Sequence, residues 1–482
     1  MGASFVLRAL LCFFISGMLV ATAEDKKMIA CYFTNWSQYR TGVGSFKTEH
    51  IDPHLCTHLF FAFAKINETR NTIEHIEWNY DTVLHPGILK LKQANPKLKL
   101  ILSVGGYNAA LSGWTSASQM GNVNTFANNV VSYLRRDQFD GVDIDWEVPD
   151  QTTKSGYFRL MKALRSAIDK EQVGNGEERL LLITDVAANK NKVQYYSPYQ
   201  LAKVVDYVIV MAYDFYGSWS EVIGHHSPLF LQDKEPADSF FSQHQGVEMW
   251  RQSGVPLDKL VLGLAAYGRS MLLTSTSVHR PGDRFTGKYP AGAPYTKEAG
   301  FYAYYEACNF VKQGVWTEVY MPNARVPYVY GTLNTQAVWI GYDNPKSITE
   351  KSVYAVSRGM AGVMLWALDF DDFTGTVCGN GKYPLLKAIN TVFDKAPKCS
   401  ADKDCELEGV KGVCVAGFCG CAQGSYISNK NFCTGKELPA VSPGVYPSTS
   451  LDDDSHAARC LANVAWLSAL SFVSVFIVVV QF

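Results

Sequence analysis

The stretch FDGVDIDWE, residues 139–147, determines how the rest of the chain is interpreted. In a β-strand the side chains alternate between the two faces. One face of this strand would be apolar and could pack under helices. The other face would carry three carboxyl groups in a row, from Asp143, Asp145 and Glu147. Because each negative charge opposes ionisation of its neighbour, one of these carboxyls could stay protonated and act as a general acid.

Two other interpretations of this acidic row have to be weighed. Acid-rich strands occur on solvated sheet edges, and three carboxylates can hold a divalent metal ion. The composition does not choose between them: 482 residues, enough for two or three domains, carry a formal net charge of -1 and 13% aromatic residues. A net charge near zero gives no electrostatic basis for binding nucleic acid. Together with the aromatic content, it suits a neutral ligand such as a carbohydrate.

Eight strand-like apolar runs recur along the chain, with helix-like segments between them. The runs cover residues 27–36, 56–66, 97–106, 138–147, 179–188, 205–214, 259–268 and 361–369. Near-continuous apolar strands are typical of a parallel sheet that is buried on both faces. Segments such as 126–136 and 157–168 carry apolar residues at the three-four spacing of an amphipathic helix. The sequence therefore predicts an α/β fold, a (β/α)8 TIM barrel.

Polar and aromatic residues converge on one rim of this predicted barrel. Such barrels place their catalytic residues at the carboxyl ends of the strands, where the acidic end of 138–147 falls. Further rim residues follow the last three strands: Tyr213, Asp214, Tyr267, Arg269, Trp366 and Asp369. This convergence favours chemistry over a solvated edge.

Two further segments interrupt or follow the predicted barrel. Residues 270–345 are too long for one helix, and their turn signals and alternating stretches predict an α+β insertion subdomain between strands 7 and 8. A disordered insert is the alternative, which the aromatic run 301–310 disfavours.

In 397–435 six cysteines crowd together, namely Cys399, Cys405, Cys414, Cys419, Cys421 and Cys433. In a secreted chain they predict a small disulfide module with 15 possible connectivities, and a metal site is the alternative.

Four cysteines remain in the predicted barrel. Cys31 and Cys56 lie in its first two strands, which are adjacent in a barrel, so a bridge between them is geometrically reasonable. Cys308 and Cys378 are the other expected pair. Free buried thiols are the alternative, which is disfavoured in a secreted protein.

The two ends of the chain predict export and membrane attachment. Residues 1–23 have the charge, apolar stretch and small-x-small ending of a signal peptide. Residues 461–482 are uncharged and long enough to span a bilayer, and a polar linker with small and acidic residues, 436–460, precedes them. With no basic residue after this tail, a glycolipid-anchor signal is favoured over a membrane-spanning helix. We expect an extracellular, cell-surface protein, with a single-pass membrane protein or a secreted protein as the alternatives.

Two sequons for N-glycosylation occur in the chain. Asn67 follows a predicted strand and could be modified. Asn35 lies at a strand end beside the predicted rim, where a glycan would obstruct the cleft, so we expect little modification there.

Several motifs together resemble those of the family-18 glycoside hydrolases, and within them the animal chitinases. They are the D-x-x-D-x-D-x-E pattern of Asp140, Asp143, Asp145 and Glu147, LILSVGG (100–106), CYFTNWSQYR (31–40), VMAYDFYG (210–217), LGLAAYGRS (262–270) and MLWALDFDDF (364–373). The resemblance covers roughly residues 26–396. It implies an endo-acting, retaining chitinase that works by substrate assistance, without a protein nucleophile.

The resemblance also implies roles for individual residues. Glu147 would protonate the leaving glycosidic oxygen and later activate water. Asp145 would orient the acetamido group of the substrate, Asp143 would share a proton with Asp145, and Tyr213 would hydrogen-bond the acetamido carbonyl. Asp140 would be structural. Substrate-binding positions would be Tyr32, Trp36, Trp78, Gly105, Gly106, Tyr107, Met211, Asp214, Trp219, Tyr267, Arg269 and Trp366. The mechanism needs neither a metal nor a cofactor, and we expect a monomer that acts on chitin or chitooligosaccharides.

The chain departs from the family pattern at two positions of the rim. Tyr107 stands where a tryptophan is common, and Val148 stands where a tyrosine usually follows the catalytic glutamate. Both put the preferred oligomer length in doubt. Two other functions remain open: a non-catalytic chitin-binding lectin, although such relatives commonly lack the glutamate present here as Glu147, and hydrolysis of another N-acetylhexosamine glycan.

Overall fold

The computed structural model describes residues 27–174, 176–236 and 239–395, and the backbone of five short strands between residues 406 and 434. The predicted signal peptide, the linker and the hydrophobic tail lie outside the described residues. Within the described parts, no helix combines the length and the apolarity that crossing a membrane requires.

The strands between residues 27 and 395 are β1 (Met28–Thr34), β2 (His58–Asn67), β3 (Thr72–His75), β4 (Lys99–Gly105), β5 (Gly141–Asp145), β6 (Leu181–Ala187), β7 (Tyr207–Met211), β8 (Leu260–Ala265), β9 (Tyr267–Leu272), β10 (Phe301–Ala303), β11 (Thr317–Met321), β12 (Val326–Leu333), β13 (Gln336–Gly341) and β14 (Gly362–Trp366). The helices are α1 (His85–Ala94), α2 (Leu111–Ala117), α3 (Val123–Arg136), α4 (Lys154–Lys170), α5 (Pro198–Leu201), α6 (Gln243–Gln252), α7 (Tyr304–Lys312), α8 (Pro345–Ser357) and α9 (Pro384–Lys395).

Eight parallel strands close into a barrel, in the order β1, β2, β4, β5, β6, β7, β8 and β14. The closure is made by β1, which pairs in parallel with both β2 and β14. Helices follow the strands along the chain, and β3 extends β2 on one side as an antiparallel strand. The predicted (β/α)8 barrel is therefore confirmed.

The amphipathic spacing in the sequence matches the faces that the helices bury. In α3 the buried residues include Phe126, Val130 and Leu134, four residues apart, and α4 buries a similar stripe. Trp146, just after β5, stacks on Trp114 of α2 with ring centroids 5.0 Å apart. The apolar face of the acidic strand thus packs under helices, as predicted, and the acidic face is left to the barrel interior.

An antiparallel sheet of five strands forms the predicted α+β insertion between the seventh and eighth barrel strands. Its order is β10, β9, β13, β12 and β11, and α7 follows β10. Only Ala266 separates β8 from β9, so the chain passes almost directly from the barrel into the insertion. This continuity places Arg269 of β9 above the barrel rim, opposite Gly341 of β13.

Both predicted disulfides of the barrel are present. Cys31 of β1 is bonded to Cys56, which precedes β2, with Cα atoms 6.1 Å apart. Cys308 of α7 is bonded to Cys378 in the loop after β14, with Cα atoms 5.5 Å apart. The second bridge ties the insertion to the barrel.

The predicted cysteine-rich module contains short antiparallel strands. They are β15 (Glu406–Leu407), β16 (Val410–Val415), β17 (Phe418–Cys421), β18 (Tyr426–Ile427) and β19 (Cys433–Thr434). The strands β15, β16 and β17 form one small sheet, and β18 pairs with β19. The pairing of the six cysteines lies outside the described residues.

Candidate active site

The acidic row of β5 points into the barrel, where Asp143 and Asp145 are buried. Strand register places Ser103 of β4 beside Asp143. The Ser103 hydroxyl donates a hydrogen bond of 2.6 Å to Asp143 Oδ2, and the Tyr32 hydroxyl of β1 lies 2.8 Å from the same oxygen. Asp143 is therefore held by its neighbouring strand and by the strand that closes the barrel.

A further carboxyl, Asp185 of β6, joins this cluster and was missed in the sequence. The Tyr32 hydroxyl lies 2.6 Å from Asp185 Oδ2 as well as 2.8 Å from Asp143 Oδ2. Because a phenol has one proton to donate, both contacts can be hydrogen bonds only if one of the two carboxyls is protonated. The available signal was a single acid in the largely apolar run 180–188.

The buried carboxyls of the cluster bind protons more tightly than exposed carboxyls do. Burial raises the pKa of Asp143 to about 6. Burial, followed by the charges of Glu147, Asp185 and Asp143, raises the pKa of Asp145 well above its usual range. Burial and the charge of Asp143 likewise raise the pKa of Asp185. Since Oδ1 of each of these aspartates is buried without a hydrogen-bond partner, full ionisation of the cluster would be costly.

Glu147 lies just beyond the carboxyl end of β5 and is half-buried. Burial, and then the charge of Asp214, raises the pKa of Glu147 to about 7. A carboxyl with such a pKa carries its proton at mildly acidic pH and can release it in a reaction. Glu147 thus has the protonation state of a general acid.

Asp214 follows β7 and has the opposite ionisation behaviour. Arg269 binds it through two hydrogen bonds of 2.8 Å, from Nε to Oδ1 and from Nη2 to Oδ2, and the Tyr267 hydroxyl donates to Oδ1 over 2.8 Å. Burial acts to raise the pKa of Asp214, but the charge and hydrogen bonds of Arg269 outweigh it and hold that pKa well below the usual range. Two carboxyls at one rim, Glu147 and Asp214, therefore keep different protonation states, a pattern typical of acid–base sites.

Tyr213 and Met211, at the end of β7, are both half-buried at the same rim. The Tyr213 ring packs edge-on against Tyr267, with centroids 6.0 Å apart. Burial, and then the neighbouring Tyr267 and the nearby carboxylates, raises the pKa of Tyr213 well above 10. Tyr213 therefore stays a neutral phenol that can donate a hydrogen bond.

Three aromatic rings line the barrel mouth as a continuous series. Trp366 at the end of β14 stacks on Phe63 of β2, with centroids 5.9 Å apart, and Phe63 stacks on Trp36 with centroids 5.8 Å apart. Trp36 is 37% exposed and Trp366 is half-buried. The structure thus brings two predicted sugar-stacking residues together, and Phe63, which the sequence did not single out, connects them.

Three other predicted aromatic positions lie further out on the surface. Trp78 after β3 is 83% exposed, Tyr107 after β4 is 84% exposed, and Trp219 is 59% exposed. The Arg269 guanidinium lies 5.4 Å from the Trp219 ring centroid, so Trp219 is the one that reaches the Asp214–Arg269 pair. The large open faces of all three rings are available to a ligand.

Tyr32 and Tyr267, which the sequence predicts as sugar contacts, lie deeper in the barrel than the tryptophans. Both rings are buried, with 0% and 2% of their surface exposed. Their hydroxyl groups are directed to carboxylates: Tyr32 to Asp143 and Asp185, and Tyr267 to Asp214. Packing inside the barrel thus gives both tyrosines the task of positioning acids.

Two acids of the recognised motifs lie away from the carboxyl cluster. Asp140 sits before β5, where its Oδ2 accepts hydrogen bonds from Lys92 Nζ over 2.6 Å and from the Leu100 amide over 2.7 Å. Asp369 is buried, forms a salt bridge with Arg40, and accepts a hydrogen bond from Thr34. The contacts of both are structural ones, away from the row of β5.

The predicted glycines occupy a tight crossing after β4. Gly105 has a φ of +118°, and a Cβ added there would lie 2.1 Å from the Asp145 carbonyl oxygen. The Gly106 amide donates to that same carbonyl over 2.9 Å. Only glycine lets the backbone approach this closely, so the S-x-G-G segment fixes Asp145 through the main chain.

The two asparagines of the glycosylation sequons differ in their exposure and in their hydrogen-bond partners. Asn67, at the end of β2, is half-buried and donates to Glu74, whereas Asn35 is buried and donates to the Phe63 carbonyl. Within residues 27–174, 176–236 and 239–395, no three His, Cys, Asp or Glu side chains are grouped so that they could hold a metal ion.

Comparisons with known proteins identify the family. Residues 28–371 match the model of glycosyl hydrolases family 18. Chitotriosidase-1 of Mus musculus is 34% identical over 92% of this chain and 92% of its own length. Chitinase-3-like protein 2 of Homo sapiens is 36% identical over 77% of this chain and 94% of its own length.

Solved structures show the same relationship and include both active and inactive proteins. The immunomodulatory active chitinase TsES1 of Trichuris suis superposes with a TM-score of 0.72 at 34% identity, over 76% of this chain and all of the other. Human YKL-39, described as a pseudo-chitinase with retained chitooligosaccharide binding, superposes with a TM-score of 0.72 at 34% identity, over 77% of this chain and all of the other. By sequence and by structure, this chain belongs to glycosyl hydrolase family 18.

Proposed function

We propose that this chain is a chitinase that hydrolyses β-1,4 bonds between N-acetylglucosamine units, acting within the polymer and retaining anomeric configuration. The observation that carries the proposal is the position of Glu147. This carboxyl has a pKa raised to about 7 by burial and the charge of Asp214, and it lies at the rim directly after the buried Asp143–Asp145 pair. A proton donor beside a second, charge-sharing carboxyl is what substrate-assisted glycoside hydrolysis requires.

In the first step Glu147 donates its proton to the glycosidic oxygen as the bond to the anomeric carbon breaks. The acetamido oxygen of the same sugar forms the new bond to that carbon and gives an oxazolinium ion. With the shared proton held by Asp143, the ionised Asp145 accepts the hydrogen bond of the acetamido N–H and stabilises the positive charge. Tyr213 donates to the acetamido oxygen. The hydroxyls of Ser103 and Tyr32, both in contact with Asp143, support the carboxyl pair.

In the second step the ionised Glu147 removes a proton from water. The water oxygen attacks the anomeric carbon from the side that the leaving group vacated, and the oxazolinium ring opens. Two inversions at one carbon give net retention, and Glu147 is again protonated for the next cycle. The charge of Asp214 supports this return of the proton, because it favours the neutral form of Glu147.

The aromatic series supports a chain of pyranose rings as the substrate. Trp366 and Trp36 provide flat apolar faces at the barrel mouth, and the buried Phe63 packs against both of them. The apolar faces of N-acetylglucosamine suit such platforms. Related structures agree with this ligand class, since YKL-39 was solved with the chitooligosaccharide GlcNAc4. Trp78, Tyr107 and Trp219 would contact more distant sugars.

A chitin-binding protein without catalysis is the second candidate, because the relatives include a pseudo-chitinase. Such a lectin needs the aromatic platforms to bind sugars, but it does not need a Glu147 that gains and loses a proton. The full row of Asp143, Asp145 and Glu147 favours the enzyme.

Replacing Glu147 with Gln tests the two candidates. We expect Glu147→Gln to lower kcat on chitooligosaccharides by about 10²–10⁴-fold, the contribution typical of a general acid–base residue, with little change in oligosaccharide binding. The measurements are product formation by chromatography and binding by calorimetry. Glu177→Gln, the same change at an exposed residue, is the control. Normal turnover in Glu147→Gln would contradict the assignment, and a wild-type protein that binds but never hydrolyses would support the lectin.

We also propose that the protein is extracellular and attached to the cell surface through a lipid anchor that replaces the C-terminal tail. The disulfides Cys31–Cys56 and Cys308–Cys378 support folding in an oxidising compartment. Asn67 is the proposed glycosylation site.

A further inference from the structure

His226 is a buried histidine that faces Asp214 without a hydrogen bond. Its ring is fully buried, and its Nδ1 lies 3.6 Å from Asp214 Oδ1 and has no hydrogen-bond partner. The backbone fixes this approach, because the amide of Phe215 donates to the His226 carbonyl over 3.0 Å. This bond holds the backbone of His226 next to that of Asp214, the residue before Phe215.

The other ring nitrogen determines which tautomer is present. His226 Nε2 lies 3.0 Å from the backbone carbonyl oxygen of Tyr267. A carbonyl can only accept, so Nε2 carries a hydrogen. In the neutral ring, Nδ1 then carries a lone pair that is directed toward the ionised carboxylate of Asp214. Protonation of Nδ1 would replace this repulsion with a charge-assisted hydrogen bond to Asp214.

Several charged and titratable groups lie near His226. Asp214, Arg269 and Tyr267 lie on the cleft side. His225, with its ring centroid 5.4 Å away, and the Asp343–Lys351 ion pair, joined through Ser227, lie on the inner side. Burial and the charge of Arg269 lower the pKa of His226, while Asp214 and Asp343 raise it, and the balance is a lowered pKa.

We propose that His226 is a positioning residue that gains a proton in the acidic range and thereby tunes Glu147 through Asp214. The ionised Asp214 opposes loss of the proton from Glu147. A positive His226 beside Asp214 offsets this effect, so Glu147 becomes the stronger acid when the pH falls. This inference rests on the proposed chitinase activity, and His226 itself does not touch the substrate.

The pH profile of His226→Asn tests the proposal. The amide of Asn can donate to Asp214 from the place of Nδ1 but cannot become charged. We expect the wild-type to variant ratio of kcat/KM to rise by about threefold or more between pH 7 and pH 5, a size consistent with a pKa change of about one unit in a neighbouring acid. On the alkaline side both proteins should lose activity as the pH rises through about 7, where Glu147 loses its proton.

A direct titration separates this proposal from the proposed function. Histidine ring signals are followed by NMR in Glu147→Gln protein labelled with ¹⁵N-histidine, and the His226 signal is assigned by its loss in His226→Asn. Adding Asp214→Asn should lower the pKa of His226 by about one unit or more, because the opposite charge has gone. His226→Gln replaces His226→Asn if the latter does not fold.

Each outcome is decisive for one of the two proposals. A ratio of kcat/KM that is constant with pH, or a His226 titration that ignores Asp214, would mean that His226 is only structural. A coupled titration in a protein that never hydrolyses chitooligosaccharides would keep the His226–Asp214 coupling and overturn the chitinase.

Discussion

At the scale of single residues, Tyr32 shows how a barrel interior changes the meaning of a motif residue. Its hydroxyl contacts Asp143 at 2.8 Å and Asp185 at 2.6 Å, and the ring has no exposed surface. Burial, and then the charges of Asp143, Asp185 and Asp145, raises the pKa of Tyr32 well above 10, so it remains a donor. Tyr32 therefore donates a hydrogen bond to the carboxyl cluster from inside the barrel and helps to determine which carboxyl holds a proton.

Replacing Tyr32 with Phe should separate positioning from sugar binding. We expect Tyr32→Phe to lower kcat about tenfold or more, because a hydrogen bond to a charged group contributes about 1.5–3 kcal/mol, and to leave KM nearly unchanged. Steady-state kinetics on a chitooligosaccharide would measure both constants.

Tyr157→Phe is the matched control for that variant. Tyr157 is equally buried, but its hydroxyl contacts Thr184 instead of a carboxyl. A Tyr32→Phe variant whose main effect is a raised KM would instead support direct contact with the sugar.

At the scale of elements, a buried ion pair joins α8 to the insertion and to the loop that carries His226. Lys351 Nζ of α8 lies 2.6 Å from Asp343 Oδ1, just after β13, and donates to the Ser227 carbonyl over 2.6 Å. Both charged side chains have no exposed surface. Removing one partner of such a pair leaves an uncompensated buried charge, which is far more costly than losing an exposed pair.

Lys351→Met should therefore destabilise the fold strongly. We expect the free energy of unfolding to fall by about 3–5 kcal/mol, measured by chemical denaturation followed by fluorescence. The double variant Lys351→Met with Asp343→Asn should lose less than the sum of the two single changes, because neither charge is then left alone.

The exposed Lys97 provides the control, since Lys97→Met removes a positive charge from the surface. It should change the unfolding free energy by about 0.5 kcal/mol or less. Equal effects of Lys351→Met and Lys97→Met would show that the buried pair is not a stabilising contact between these elements.

At the scale of the whole molecule, the family-18 region is a barrel whose rim is completed by the insertion. Arg269 of β9 reaches Asp214 after β7, and Tyr267 does the same. The disulfide Cys308–Cys378 fixes α7 of the insertion to the loop that follows Trp366, across a separation of 70 residues. Site geometry thus depends on the attachment of the insertion.

Breaking this disulfide should lower stability and loosen the attachment. For a loop of this length, the chain-entropy account gives a loss of about 4 kcal/mol for the double variant Cys308→Ser with Cys378→Ser. Unfolding by urea would measure it, and the midpoint should fall.

The single variant Cys378→Ser serves as a comparison, since it lacks the same bridge and should lose about as much stability. If the double variant unfolded at the wild-type urea concentration, the bridge would be irrelevant to the stability of the barrel and its insertion.

Much of the fold and part of the site follow from local patterns in the sequence. The eight apolar runs were predictable, because burial on both faces of a parallel strand leaves a continuous apolar signature. The insertion followed from the length and turn signals of its segment, and the Cys31–Cys56 bridge from the adjacency of the first two strands. The alternation in FDGVDIDWE likewise determined that three acids share one face and that Trp146 packs on the other. These properties depend on neighbours a few residues apart.

Only the tertiary structure decided which distant residues serve those acids. Closure of the barrel brings β1 and β6 to the same interior as β5, so Tyr32 and Asp185 meet Asp143 across more than 40 residues of chain. The turn after β7 and the folding back of residues 225–227 place His226 against Asp214. Proton affinities in the site are set by burial and by charges that meet only through this packing, and neither can be read from spacing along the chain.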